Sequence, residues 1–331
     1  MHTLSTPSVL AIATLIVLTH TTACVTEDAA ETVYMTESAL TEDYMLCSET
    51  EAVSGVSIKA VAVDDQEALV VPADGEPIGL ILLLADQGES AHRWFDEQER
   101  LQFVVDAQAR GFALVALEQR PSLAYQVKAH RTVARLQEEG FISTQTPLLG
   151  VGYRAGGDFL SALTQTMDFK AIMLAHTGGF TGLMEGERAK TMPPTWLATA
   201  ARDNEFDADR MNTLAKSMRL EGVEVKTSTN VPAVIRPESL TPTLGIDCLL
   251  AQDIVRGLVA GRLLNTDGTL TENSTWFETI VQSTELNPKD PTDQMVLDSL
   301  DRKMLELYAG SVFSSDHGGF VLTFFQEKID R

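Results

Sequence analysis

Residues 147–159 read PLLGVGYRAGGDF, an apolar run that leads into a glycine-rich turn. The continuous apolar part is typical of a strand that is buried on both faces of a parallel sheet. The spacing Gly152-x-x-x-Gly156 predicts a sharp turn from this strand into a helix, because residues without a Cβ let the two elements approach closely. The residue at the centre of the predicted turn is Arg154.

Apolar strands alternate with helices on both sides of this turn. We predict strands at residues 56–62, 68–71, 77–85, 112–117, 147–151, 170–174, 195–199 and 223–227, and helices at residues 94–110, 123–139, 206–221, after the turn to about residue 167, and from about residue 293. The paired strands at the start, followed by strand–helix alternation, predict an α/β three-layer sandwich. Its sheet is expected to be mostly parallel with antiparallel N-terminal strands, and residues 263–295 are expected to loop over the surface.

The stretch GVGYRAGGDF at residues 150–159 resembles the nucleophile elbow of esterases and lipases in the α/β-hydrolase superfamily, with Arg154 in place of the nucleophilic serine. The resemblance covers roughly residues 53–331. It implies an oxyanion loop at residues 85–90, although the Asp-Gln-Gly sequence there departs from the family's pattern. It also implies that Asp203 matches the acid of the catalytic triad.

Two histidines are candidates for the same region. His317 lies late in the chain, before an apolar helix-like stretch, and the resemblance makes it the candidate for the triad histidine. The alternative is that His317 is an exposed polar loop residue. His176 follows a predicted strand at the functional edge of the sheet, where it has either a role in the site or a structural one.

Arginine at the elbow changes what the site is expected to do. Acyl transfer needs an attacking atom that can lose a proton, and a guanidinium stays protonated. Loss of the serine alone removes ~10⁶ of rate in a triad enzyme. Two roles for Arg154 stay open: an ion pair with Asp203 that plugs an inactive site, or a ligand site in which Arg154, Ala155 and Gln87 hold a small carboxylate or phosphate.

The competing hypothesis is a working serine hydrolase whose nucleophile has moved. Ser161 and Ser90 are the candidates, each acting with Asp203 and His317. A third hypothesis makes the acidic N-terminal segment the interacting part and the folded domain its support.

The N-terminus has the features of an export signal. Residues 9–18 read VLAIATLIVL, which is too short to span a bilayer as a helix but suits the apolar region of a secretory signal. The small residues before Cys24 resemble a bacterial lipoprotein signal, which implies a signal peptide at 1–23, acylation of Cys24 and a lipid anchor at the cell envelope, in the periplasm or at the outer membrane. The alternative is ordinary cleavage near Ala23 that leaves Cys24 as a thiol.

If Cys24 carries lipid, Cys47 and Cys248 remain as one pair of cysteines. Disulfides persist in an exported protein, so we expect this pair to be bonded. The alternative is two isolated buried thiols. The sequence contains neither Cys-x-x-Cys nor His-x-x-x-His, so no zinc pattern is present and neither a metal nor a cofactor is expected.

The charge balance excludes one class of partner. The chain has 331 residues, with 47 Asp and Glu against 25 Lys and Arg, a net charge of -22. Such a surface repels nucleic acid and does not favour docking on anionic lipid through a basic patch. Residues 24–52 are expected to form an acidic tether ahead of an α/β-hydrolase-like domain at 53–331. Because Arg154 stands in place of the nucleophile, we expect this exported chain to be a non-catalytic binding or structural protein.

Overall fold

The computed structural model describes residues 35, 39–41, 44–45, 47, 56–63, 66–118, 123–184, 186–203, 208–243, 245–271, 275–310 and 312–330. They all belong to one compact unit, Tyr34–Arg331. The expected signal peptide at 1–23 and the expected lipid site at Cys24 lie outside the described residues. None of the helices in the described part of the chain is long and apolar enough to cross a membrane.

Eight strands form a single mixed sheet at the centre of this unit. They are β1 Lys59–Val63, β2 Gln66–Val71, β3 Gly79–Leu84, β4 Phe112–Leu117, β5 Leu148–Tyr153, β6 Phe169–Ala175, β7 Thr195–Ala200 and β8 Val225–Asn230. Their order across the sheet is β1-β2-β4-β3-β5-β6-β7-β8. β1 and β2 are antiparallel to their neighbours, and the remaining strands are parallel. This is the strand order of the α/β-hydrolase fold, so the predicted fold class is confirmed.

The helices that connect and flank the sheet are α1 Arg93–Asp96, α2 Gln98–Ala109, α3 Leu123–Glu138, α4 Ala155–Leu163, α5 Thr181–Met184, α6 Ala208–Leu220, α7 Pro237–Leu240, α8 Cys248–Ala260, α9 Trp276–Ser283, α10 Pro291–Leu307 and α11 Gly318–Ile329. Two short 3₁₀ helices lie at Gly186–Thr191 and Ser315–His317. The prediction of a surface loop at 263–295 was wrong in part, because α9 and the beginning of α10 lie within it.

The sheet is covered on both faces, which explains why its central strands are apolar throughout. All six residues of β3 are buried. Leu80, Leu82 and Leu84 pack in the core that contains residues of α3, α4 and α6. Ile81 and Leu83 pack in the opposite core with residues of α2 and α11. Alternate side chains of a strand point to opposite faces, so one leucine-rich run supplies both cores.

A third core holds the C-terminal helices α8, α9 and α10 together, and described residues of the N-terminal segment pack onto it. Met35 is buried there, and its N–H donates to the carbonyl of Leu264 at 2.9 Å. Cys47 forms a disulfide with Cys248 at the first residue of α8. The apolar residues of this segment occur in short runs between acidic and threonine-rich stretches, without the period of a helix or a strand, so the sequence pattern did not reveal their packing.

The parallel strands carry their C-terminal ends to one edge of the sheet. β3 lies between β4 and β5, with Leu84 level with Leu117 on one side and Gly152 on the other. The segments that follow β3, β5, β6 and β7 therefore emerge side by side. Ligands of open α/β sheets bind outside this edge.

Candidate functional site

The strand-to-helix turn predicted from the glycines is present. β5 ends at Tyr153, α4 begins at Ala155, and Arg154 between them has φ 49° and ψ -121°. A positive φ is strained for a residue with a side chain and is characteristic of functional turns. A Cβ built on Gly156 would overlap the carbonyl oxygens that follow β3, which accounts for glycine at this position. The elbow of the fold is therefore intact in its backbone.

The carboxylate of Asp86 lies against this elbow. Its Oδ2 is 3.7 Å from Nη1 of Arg154, and its Oδ1 accepts from the backbone N–H of Ala155 at 3.3 Å. The Ala155 N–H is the group that the family resemblance implies as an oxyanion donor. The side chains of Arg154 and Asp86 are 45% and 27% exposed, so this ion pair faces solvent. The Asp86 carboxylate thus lies between the Arg154 guanidinium and the Ala155 N–H.

Gln87 lies next to this carboxylate but contributes through its backbone. Its N–H donates to Oδ1 of Asp86 at 2.7 Å, and the residue is exposed. The loop that follows β3 is therefore arranged around the Asp86 side chain.

Asp203, the expected triad acid, is hydrogen-bonded to His176. Nδ1 of His176 donates to its Oδ2 at 2.9 Å, and the two side chains are 2% and 1% exposed. His176 follows β6 and has φ 53°, a second strained position at the same sheet edge. The contacts described are Arg154 with Asp86 and His176 with Asp203, and an ion pair between Arg154 and Asp203 stays a prediction.

His317 is buried, contrary to the alternative that made it an exposed loop residue. It ends the short 3₁₀ helix Ser315–His317 at the start of α11. Burial, and then the charge of His176, lower the pKa of His317 to about 4. Its Nε2 has no hydrogen-bond partner among the described residues. His317 therefore stays neutral at physiological pH. The hydrogen bond to Asp203 is made by His176.

The serines of the competing hypothesis have local structural roles. Oγ of Ser161 is buried, donates to the carbonyl of Asp158 at 2.7 Å and accepts from the N–H of Phe180 at 2.8 Å. Oγ of Ser90 accepts from the N–H of His92 at 3.1 Å. Neither hydroxyl has a described hydrogen bond to a histidine side chain.

A cavity of about 410 Å³ opens over the elbow, with Tyr153 and Arg154 in its lining. Its other walls come from residues 89 and 95–101, from residues 242–243 after α7, from α10 and from residues 312–313. This volume is in the range of small-molecule sites. The elbow and α10, which are far apart in sequence, thus line the same cavity.

One wall of this cavity is built around Arg100. The Arg100 side chain is 2% exposed and pairs with Glu89 and Glu97, each at 2.8 Å. Its guanidinium lies 4.6 Å from the centre of the Tyr153 ring. Burial raises the pKa of Tyr153 to about 12, so this phenol stays protonated near neutral pH. Tyr153 therefore acts here as a buried aromatic support for the arginines and does not supply a phenolate.

A second wall carries the ion pairs of α10. Nζ of Lys303 pairs with Glu99 at 2.9 Å and with Glu306 at 2.7 Å. Burial opposes the charge on Lys303, but these carboxylates outweigh it and raise the pKa of the ammonium. Arg302 pairs with Glu97 at 3.2 Å. This cluster has no signal in the sequence, because it joins residues 97–99 to residues 302–306, more than two hundred positions away, and no local motif connects them.

The arrangement offers donors, positive charge and apolar surface. The Arg154 guanidinium has five N–H donors and cannot act as a base or nucleophile. Among the described residues no group of three or more His, Cys, Asp or Glu is suited to hold a metal ion. The described polar groups at the elbow are the Arg154 guanidinium, the Ala155 N–H and the Asp86 carboxylate.

Comparisons with known proteins give likeness in structure only. No family model and no curated protein matches the chain. Similar solved structures include a highly thermostable carboxyl esterase from Bacillus coagulans in complex with glycerol, with TM-score 0.42 and 10% identity over 54% of this chain and 91% of that chain. MGS-M1, an α/β-hydrolase enzyme from a deep-sea metagenome library, has TM-score 0.41 and 11% identity over 74% and 99%. The hormone-sensitive-lipase homologue EstE7 from a metagenome library has TM-score 0.42 and 13% identity over 55% and 78%. At these scores the neighbours add nothing to what the strand order establishes about the fold.

Proposed function

We propose that this chain is a non-catalytic binding protein built on the α/β-hydrolase fold, with the elbow nucleophile lost. One observation carries the proposal. Arg154 occupies the elbow, and the Asp86 carboxylate joins its guanidinium to the Ala155 N–H. The side chain at the nucleophile's position and the expected oxyanion donor are thus both bound to the Asp86 carboxylate.

The buried half of the site supports the same conclusion. A triad histidine has to be held by the acid and to reach the nucleophile. Here Asp203 holds His176, while Nε2 of His317 is buried without a described partner. Without a nucleophile or an available oxyanion donor, ester hydrolysis by the usual acyl-enzyme route has no support in this arrangement.

The ligand in this proposal is a small anion with its negative group at Arg154, the Ala155 N–H and the loop that contains Gln87. The cavity over the elbow supplies the remaining contact surface. Asp86 competes with such a ligand, because it presents a carboxylate to the same donors. Its contacts of 3.7 Å and 3.3 Å are long for charge-assisted hydrogen bonds, which favours exchange with an external anion.

Location is part of the proposal. We infer export to a bacterial cell envelope with a lipid anchor on Cys24, on the strength of the N-terminal sequence. In a bacterial host the protein should fractionate with membranes, and Cys24→Ala should release it. Fractionation that is unchanged by Cys24→Ala would contradict the anchor.

The proposed loss of catalysis is tested by labelling of a nucleophilic serine and by ester turnover. The full chain is incubated with a fluorophosphonate probe and with p-nitrophenyl acetate, beside the Ser161→Ala and Ser90→Ala variants. We expect no labelling and no turnover above background in any of them. Labelling of the wild type that disappears with either substitution would overturn the proposal and support the displaced-nucleophile hypothesis.

Anion binding is tested at the two members of the exposed pair. Isothermal titration with acetate, hexanoate and inorganic phosphate compares wild type, Arg154→Gln and Asp86→Asn. Arg154→Gln should weaken binding roughly tenfold, since it removes a charged hydrogen bond. Asp86→Asn should tighten binding, because it removes the competing charge.

The matched control is Arg135→Gln, an exposed arginine on α3 that pairs with Glu138 and Glu139. It should leave the affinity unchanged. Equal affinities for wild type, Arg154→Gln and Asp86→Asn would mean that the pair only seals the elbow and that the anion site does not exist.

A further inference from the structure

Thr243 lies on the cavity wall, in a part of the chain that does not belong to the elbow. It lies between α7 and α8 and lines the cavity together with Pro242. The residue is 4% exposed, and its hydroxyl has no hydrogen-bond partner among the described residues. Its backbone N–H donates to the carbonyl of Leu240 at 2.9 Å, so the backbone is fixed while the hydroxyl is unused.

A buried hydroxyl without a partner is unfavourable, by about 1–3 kcal/mol. Native proteins pair the great majority of such groups, and a residue that leaves one unpaired on a cavity wall is suited to pair it with a ligand. Threonine can both donate and accept, so its partner is a hydroxyl, a carbonyl or an amide.

The charged residues of α10 that line the same cavity favour a neutral partner for Thr243. Arg302 is paired with Glu97, and Lys303 with Glu99 and Glu306. A ligand group that reaches this wall meets cations and anions that already neutralise each other. A second charge on the ligand would lose its hydration there without gaining an unpaired counter-ion.

Part of the cavity lining is apolar. Phe95, Leu101, Val312 and Phe313 all face the cavity. A ligand that extends from Arg154 past these residues needs an apolar body, because its desolvation must be favourable.

We propose that the ligand is an amphipathic acid with its carboxylate at Arg154, an apolar body in the cavity, and a neutral hydroxyl or carbonyl that hydrogen-bonds to Oγ1 of Thr243. This assignment rests on the proposed anion site at the elbow and adds the ligand's second polar group. Thr243 is the specificity-determining residue in it, and Arg154 is the affinity-determining one.

The test uses two matched series of ligands with the full chain. Butanoate, hexanoate, octanoate and decanoate are titrated beside the same acids carrying a terminal hydroxyl. Wild type is compared with Thr243→Val, which replaces the hydroxyl by a methyl group of similar size, and with Thr243→Ser, which keeps a hydroxyl. The comparison between variants cancels the different hydration of the two series.

We expect wild type to bind the hydroxylated acid of one chain length roughly 3- to 10-fold more tightly, relative to its plain counterpart, than Thr243→Val does. Thr243→Ser should restore much of this preference. The plain acids should bind wild type and Thr243→Val equally. Because Thr243→Val removes an unpaired buried hydroxyl, its melting temperature should equal or exceed that of wild type, which shows that any lost preference is not a folding defect.

A preference that is absent from wild type, or that survives in Thr243→Val, overturns the assignment to Thr243. In that case binding of plain acids that still depends on Arg154 leaves the anion site standing. If wild type binds neither series, the anion site itself is refuted and this inference falls with it.

Discussion

Asp86 and Asp203 lie at the same edge of the sheet and are held in opposite ways. Asp86 follows β3, is part exposed and pairs with Arg154 at 3.7 Å. Asp203 follows β7, is buried and accepts from His176 at 2.9 Å. In an α/β-hydrolase with a working triad, these two regions would belong to one catalytic unit. Here Asp86 pairs with the Arg154 guanidinium, and Asp203 pairs with the His176 imidazole.

The difference in burial predicts that the two pairs contribute unequally to stability. An exposed ion pair contributes little to stability, since water competes for both charges. A buried pair has no water to replace a lost partner, so its integrity matters to the fold. The exposed pair is accordingly suited to exchange partners with a ligand, and the buried pair is suited to fix the loops that follow β6 and β7.

The largest expected effect on stability comes from a substitution in the elbow, at Gly156. Gly156→Ala places a Cβ against the carbonyl oxygens of Leu84 and Ala85, and backbone atoms cannot rotate away as side chains do. We expect a loss of at least about 3 kcal/mol in the free energy of unfolding, measured by urea denaturation.

The matched control is Gly75→Ala, a position where an added Cβ meets nothing within 4 Å. It should be neutral or slightly stabilising, because it only lowers the entropy of the unfolded chain. Similar losses for the two glycines would contradict the close approach of β3 and α4 at the elbow.

The next effect separates the two carboxylates. Asp203→Ala leaves the buried Nδ1–H of His176 without its acceptor, and we expect a loss of about 2–3 kcal/mol in the free energy of unfolding. Asp86→Ala, the same change at the exposed pair, should cost at most about 1 kcal/mol. Equal losses in denaturant titrations would show that burial does not distinguish the two regions.

The smallest of the three effects is a pH dependence confined to the buried region. The pKa of His317 is lowered from 6.5 to about 4, so between these values the unfolded chain binds a proton that the folded chain does not. The stability present above pH 6.5 is therefore lost as the pH falls toward 4. Between about pH 6 and about pH 4.5 the free energy of unfolding should fall by roughly 1–2 kcal/mol on this account.

This contribution is measured as the difference between wild type and His317→Leu at each pH, since carboxylates titrate in the same range. His92→Gln, a substitution at an exposed histidine, is the matched control. A His317→Leu variant whose stability follows the same pH dependence as wild type would contradict the buried neutral imidazole.

Much of the fold could be predicted from local pattern. Gly152 and Gly156 identified the elbow because close packing of a strand on a helix requires glycine at those positions. The apolar runs of β3 and β4 identified buried parallel strands. α9 escaped prediction, since its segment is rich in Thr and Asn and its apolar face is visible only in the core with α8 and α10.

The sequence suggested candidate site residues but not their pairings. Arg154 stands at the centre of the predicted turn, and the family resemblance implied Asp203 and His317. That Asp86 pairs with Arg154, and that His176 holds Asp203, depends on side-chain directions in the loops after four different strands. Thr243 had no motif around it, and only the folding of residues 242–243 onto the cavity made it a candidate.

The sequence by itself determined the sheet, the elbow and the cation at its centre, because these depend on near-neighbour sterics, apolar periodicity and the fixed charge of arginine. The tertiary structure alone decided which groups meet: Asp86 with Arg154, Asp203 with His176, and α10 with the elbow cavity. Those encounters depend on how deep each loop lies and on contacts between residues far apart in the chain, and neither quantity has a local signature.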